Sequence, residues 1–191
     1  EATLAFRTGR LWGGAAASVT VFRNELRNLI SPRLALGDSL NGRPIREYAN
    51  VSEALLQGIS ASSELGLGPR VRARSALTYV RGENLIASSP LAATPPLEGS
   101  LAIRLTPGAI HRWLEVEGRA AARQERFALD AGERVTPGYG VLNLRGGVTI
   151  ASVQATVGID NVLDRAYRAH VDPMLLIRPG RNGYLRLSRA F

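Results

Sequence analysis

Residues 151–161 read ASVQATVGIDN, and this stretch decides the fold. Its odd positions Val153, Ala155, Val157 and Ile159 are apolar, while Ser152, Gln154, Thr156, Gly158 and Asp160 between them are small or polar. A period of two puts alternate side chains on opposite faces of an extended strand, one face in each environment. Working outward, the same period recurs. Leu142, Leu144 and Val148 alternate with Asn143, Arg145 and Thr149. Leu114, Val116, Ala120 and Ala122 alternate with Glu115, Glu117, Arg119 and Arg123, and Leu101, Ile103 and Leu105 flank Arg104. Leu185 and Leu187 alternate with Arg186 and Ser188 near the end, and weaker versions occupy Ala2–Arg7, Ala15–Asn24, Tyr48–Leu65 and Val71–Arg81. The pattern predicts nine strands and no helix.

The connections between these strands alternate in length. Thr8–Gly14, Gly66–Pro69, Thr106–Ala109 and Val148–Ala151 are short; Glu25–Glu47, Gly82–Glu98, Glu125–Gly138 and Val162–Asn182 are long. Sequential antiparallel strands place successive connections at opposite ends of a sheet, so the short turns gather at one end and the long loops at the other. Transmembrane β-barrels of outer membranes have this asymmetry. The apolar face is built from mid-sized Leu, Val, Ile and Ala, which suits contact with lipid tails, whereas the opposite face carries Arg and Glu among Ser, Thr and Asn. A closed barrel is also the β structure that leaves no backbone group unpaired in hydrocarbon. The residues on the apolar face, Leu101, Ile103, Leu114, Val116, Leu142, Leu144, Val153, Val157 and Ile159, are expected to meet lipid. Arg104, Glu117, Arg119, Arg123, Arg145 and Arg186 are expected to point into a lumen. Period two alone fits other classes as well: a passive porin, an autotransporter translocator, or a soluble secreted β-sandwich that binds a ligand.

Composition narrows the field further. The chain has 191 residues, 24 basic against 16 acidic, a formal net charge of +8, and every basic residue is Arg. The arginines are scattered singly, so the charge gives no nucleic-acid patch. Cysteine is absent, which excludes disulfides and thiolate metal sites. The longest uncharged runs, 84–97 and 146–159, hold 14 residues each, too few for a membrane-spanning helix. The two histidines, His111 and His170, fall near opposite ends of the strands and are expected not to share a metal; Met174 reads as loop packing. Glu115 and Glu117 share a face with Arg119 and Arg123, which points to an ion-pair network rather than to a catalytic carboxylate pair. No catalytic residue, metal site or cofactor is expected.

The last 56 residues carry a resemblance. TPGYGVLNLRGG, VGIDNVLDRAYRAHVDP and PGRNGYLRLSRAF, through Tyr139, Leu142, Asn143, Leu144 and Arg145, then Asn161, Leu163, Asp164, Tyr167 and His170, then Pro179, Gly180, Arg181, Asn182 and the terminal Phe191, resemble the C-terminus of TonB-dependent outer-membrane receptors. VTVFRN at Val19–Asn24 with Leu29–Ile30, and YANVSEALLQG at Tyr48–Gly58, are similar to earlier segments of that family. Val162–Leu163, Ser60 and Arg189 depart from its usual residues. The resemblance implies that residues 1–191 are the C-terminal part of a barrel of 22 strands, with the N-terminal plug domain outside the sequence. It further implies energised uptake of a small-molecule cargo, leading with a metal chelate such as a ferric siderophore, across the outer membrane of a Gram-negative bacterium. The implied partners are lipid and lipopolysaccharide, the chain's own plug, the TonB complex, and a barrel-assembly machinery that would read Phe191. Arg119, Arg123, Tyr167, His170 and Arg181 are the expected cargo contacts.

Overall fold

A computed structural model describes the chain except for Glu1 and residues 12–13, 42, 109–111, 173–175 and 190–191; side chains at 7, 9–11, 36, 38, 43–44, 46 and 52 are likewise outside the description. His111, Met174 and Phe191 therefore lie outside the described residues. The fold is one antiparallel sheet: β1 (Ala2–Leu11), β2 (Ala15–Leu40), β3 (Arg43–Gly66), β4 (Val71–Asn84), the two-residue β5 (Ser89–Pro90), β6 (Glu98–Leu105), β7 (Arg112–Ala121), β8 (Tyr139–Ile150), β9 (Val153–Asp160) and β10 (Asn182–Arg189). Nine of these follow one another across the sheet in chain order, and β5 hangs from the top of β4. The helical content of the described residues is one 3-10 turn, Leu129–Ala131.

The nine strands coincide with the nine periodic segments, but Glu25–Glu47 is not a loop. There β2 and β3 continue past the other strands as a tall hairpin, paired from Ala16↔Glu64 through Leu34↔Arg46 and, after a register shift, at Ser39↔Pro44. Alternation fades beyond Asn24 because the two faces of the protruding ladder no longer sit in different solvents. Backbone pairing then holds the strands without a period-two signature.

Register fixes the facing. Ile103↔Val116, Val116↔Leu144 and Leu144↔Ile159 form one continuous row on the outer face, and Gly146↔Val157 and Val157↔Leu185 another. Leu101, Ile103, Leu114, Val116, Val153, Val157 and Ile159 are all exposed there. Arg104↔Glu115, Glu115↔Arg145, Ser100↔Arg119 and Thr156↔Arg186 lie on the inner face. A hollow of about 720 Å³ is lined jointly by Ala16, Glu64, Arg72, Arg104, Trp113, Thr149 and Gln154, which come from seven strands, so the sheet curls around its inner face. A single curled layer with its apolar side outward is not a sandwich, which would bury that side against a second sheet. Arg123 is a correction: it falls beyond the end of β7 and leaves the wall for the loop above.

Candidate functional site

The inner face is organised by Glu115, whose side chain is 2% exposed. Its Oε2 accepts from Arg74 Nη2 at 2.6 Å and from Arg104 Nε at 2.8 Å, and its Oε1 lies 3.7 Å from Arg145 Nη1. Arg145 also hydrogen-bonds Glu117 through Nη2. Arg104 stacks over Trp113, its Cζ 4.2 Å from the ring centroid. Strand alternation puts 74, 104, 115, 117 and 145 on one face of β4, β6, β7 and β8, and side chains reaching across the strands complete the cluster. A carboxylate this buried is tolerated because several guanidinium groups replace its water. The bias of the wall is smaller than the count of arginines suggests. Arg72, Arg74, Arg104, Arg119, Arg145 and Arg186 have Glu64, Glu98, Glu115, Glu117 and Asp160 on the same face, and four of the six are already in ion pairs.

Above the wall, the motif residues act on the loops. Asn161 adopts φ 51°; its Nδ2 donates to the carbonyls of Arg165 and Pro179, and its Oδ1 accepts the Arg165 N–H. Asn143 Oδ1 accepts the Asn161 N–H at 2.9 Å, and Asn143 Nδ2 donates to Glu117. Asp164 accepts the Arg181 N–H at 2.7 Å, and Arg181 Nε donates to the Val162 carbonyl at 2.9 Å. A Cβ on Gly180 would strike Asp164 Oδ1, so a side chain there would push the carboxylate that takes the Arg181 N–H. The PGRN stretch is thereby the clasp that closes the loop 161–182 onto β9.

The five expected contacts do not converge on one cavity. Arg119 is exposed on the inner face opposite Val141. Arg123 pairs with Glu125 at 3.0 Å, both side chains more than half exposed. Tyr167 stacks on Tyr139 with ring centroids 4.3 Å apart. Arg181 is held in the clasp, and His170 is buried, its Nδ1 2.9 Å from Thr136 Oγ1. Glu133, in a loop, and Glu83, at the end of β4 past its pairing with β6, went unread in the sequence because neither sits in a clear period-two segment. Glu133 accepts the Ala93 and Ala128 N–H groups. Glu83, above the top of β6, is hydrogen-bonded by Arg81 and by Arg126, and these hold its carboxyl below the usual carboxylate range. Among the described residues no group of three or more His, Cys, Asp or Glu side chains is placed to hold a metal ion.

A single curled sheet with an outer apolar face, a charged inner face and loops sorted by length is the wall of an outer-membrane-type barrel. The family model for TonB dependent receptor-like β-barrels matches residues 1–162, and the chain belongs to that family. The receptors of the family are transporters, not enzymes. Among solved structures it is similar to the copper transporter OprC, with a TM-score of 0.84 at 20% identity, covering 99% of this chain and 31% of that one. It is similar as well to the ferric enterobactin receptor PfeA from Pseudomonas aeruginosa, with a TM-score of 0.76, 20% identity and the same coverages. For the siderophore receptor PirA from Acinetobacter baumannii the TM-score is 0.69 at 19% identity, covering 93% of this chain and 30% of that one. The chain thus spans about three-tenths of the length of these structures. No curated protein sequence matches it.

Proposed function

We propose that the chain forms the C-terminal wall of an outer-membrane receptor that takes up a metal chelate, leading with a ferric siderophore, when the TonB complex acts on a plug domain seated in the lumen. The observation that carries this reading is the inner face: a buried carboxylate ringed by arginines, inside a curled wall of the receptor family. Such a wall presents fixed charge to a bound plug or a passing anion while its outer face stays apolar for lipid. On this reading the long-loop end faces the cell exterior, and Arg119 and Tyr167 contact the entering cargo. Lipopolysaccharide would meet the rim, and the barrel-assembly machinery would read Phe191.

The test is uptake of a radiolabelled ferric siderophore by cells that express the full-length receptor in place of their own siderophore receptors. Uptake that disappears when TonB is deleted supports the reading. Uptake that persists without TonB makes the barrel a passive pore, and uptake absent for ferric chelates but present for another solute moves the cargo class.

A further inference from the structure

The outer face changes character along β2, β3 and β4. Val19, Ala61 and Leu77 stand in one cross-strand row, and Val21, Ile59 and Tyr79 in the next toward the long-loop end. Val21, Ile59, Leu77 and Tyr79 are exposed, so these rows are an apolar belt that closes on the Tyr79 ring. The row after that is Arg23, Gln57 and Arg81, and the one beyond it Glu25, Leu55 and Glu83. Register runs unbroken through all four rows, so alternation keeps these positions on the outer face.

The order of the charges is the informative feature. Arg23 and Arg81 are the first charged residues above the belt, on backbones about 10 Å apart across two strand spacings, and the carboxylates stand one pleat farther from it. Glu25 accepts from Arg23 Nε and Nη2 at 3.4 and 3.1 Å. Glu83 accepts from Arg81 Nη2 at 2.6 Å and, from the loop 122–138, from Arg126 Nη2 at 3.0 Å. Three guanidinium groups thus share two carboxylates, an excess of one positive charge, and each retains N–H donors outside these bonds. Their side chains are all at least 41% exposed. Arg27 opposite Glu53, higher still, adds no net charge. The outer face of β7, β8 and β9 ends toward the same side in Ala120, Gly140 and Ile159, so the cations form a local patch.

We propose that Arg23, Arg81 and Arg126 form a binding site for the phosphorylated lipid A headgroup of lipopolysaccharide. The proposal rests on the reading that the long-loop end faces the cell exterior. A membrane lipid carries its phosphates immediately above its acyl chains, and that is where these arginines follow the apolar belt. The acyl chains lie along Val19, Val21, Ile59 and Leu77, with the amphipathic Tyr79 ring at the boundary. Guanidinium groups bind phosphate oxygens through paired, charge-assisted N–H···O bonds. Glu25 and Glu83, on the water side, hold the guanidinium groups in place. Cations spread over two strand spacings suit a headgroup with two phosphates, which separates lipid A from a glycerophospholipid with one.

The experiment is native mass spectrometry of the full-length receptor, freed of lipid in detergent and titrated with diphosphoryl lipid A, dephosphorylated lipid A or phosphatidylglycerol. Diphosphoryl lipid A should be retained, and the other two at least about tenfold more weakly, the effect of losing one charge-assisted hydrogen bond. The triple variant Arg23→Gln, Arg81→Gln, Arg126→Gln should lose affinity for diphosphoryl lipid A by the same factor, while Arg186→Gln, on the inner face, should not. Inorganic phosphate at the lipid's concentration should displace nothing. Equal retention by the triple variant, equal retention of dephosphorylated lipid A or of phosphatidylglycerol, or displacement by inorganic phosphate would each overturn the site. If the triple variant lacks the heat-modifiable mobility of a folded barrel, the single variants Arg23→Gln and Arg126→Gln decide by the same criterion. The outcome is separate from that of the uptake test: a receptor whose uptake persists without TonB still retains lipid A if the site exists, and one that passes the uptake test but retains none loses only the site.

Discussion

The indole of Trp113 on β7 lies over Gly147 on β8, so close that a Cβ at 147 would stand 2.6 Å from its Cε2 and Nε1. The same arrangement recurs twice on the inner face. Tyr184 covers Gly158, and Phe22 covers Gly58, whose added Cβ would also strike the Tyr79 carbonyl. In each pair a ring fills the space over a residue without a side chain, shielding backbone that glycine would leave open. Gly147→Ala should therefore cost about 1–3 kcal/mol through overpacking, read as a lower urea midpoint for the full-length receptor. Adding Trp113→Ala should recover part of that loss. Gly118→Ala, with no atom within 4 Å of its Cβ, should leave the midpoint unchanged; equal losses at 118 and 147 would remove the ring contact as the cause.

A second expectation concerns the faces. Val157 is 58% exposed on the outer face and Thr156 faces inward opposite Arg186. If lipid covers the outer face, Val157→Arg should lose about 2–4 kcal/mol at mid-bilayer depth, and Thr156→Arg distinctly less. The fraction of heat-modifiable barrel after refolding into vesicles measures both, and equal losses would refute the lipid-facing assignment.

Glu115 should matter far more than its neighbours in the acidic count. Glu115→Gln removes the charge that Arg74 and Arg104 share and should cost about 1.5–3 kcal/mol, the range for hydrogen bonds to charged groups. Glu125→Gln, at an exposed pair with Arg123, should be close to neutral. Unfolding by guanidinium chloride distinguishes them, and a neutral Glu115→Gln would make the cluster incidental.

For cargo, Arg119 and Arg123 separate cleanly. Arg119→Gln should weaken binding of an anionic ferric chelate in detergent, with the loss shrinking as salt rises. Arg123→Gln should do little, since Glu125 already offsets that charge. Unchanged affinity for the Arg119 variant at low salt would assign it to structure.

Deleting Phe191 from the full-length receptor should lower its outer-membrane level and raise periplasmic degradation, as expected if an assembly factor reads the terminal strand by β-addition. Pulse-chase assembly at the unmodified rate would leave Phe191 only an interfacial role.

The sequence by itself determined the wall. Strict alternation in Val153–Ile159 and Leu114–Glu117 identified strand and facing, because a pleat between two unlike solvents has one register that satisfies both, and a slip of one residue inverts every side chain. Sorted connection lengths identified the two ends for the same reason of strand direction. Only the tertiary structure decided what lies beyond the membrane-like zone. The β2–β3 hairpin past Asn24 has no contrast of solvents to write a period into it. Glu115 could be placed on a face from its parity, but its ring of arginines depends on side chains reaching across strands 41 positions apart, as from Arg74. The seat of His170 against Thr136 and Glu133 depends on loops whose residues carry no mutual pattern and meet only when the sheet curls, bringing separate hairpin tops together over one mouth.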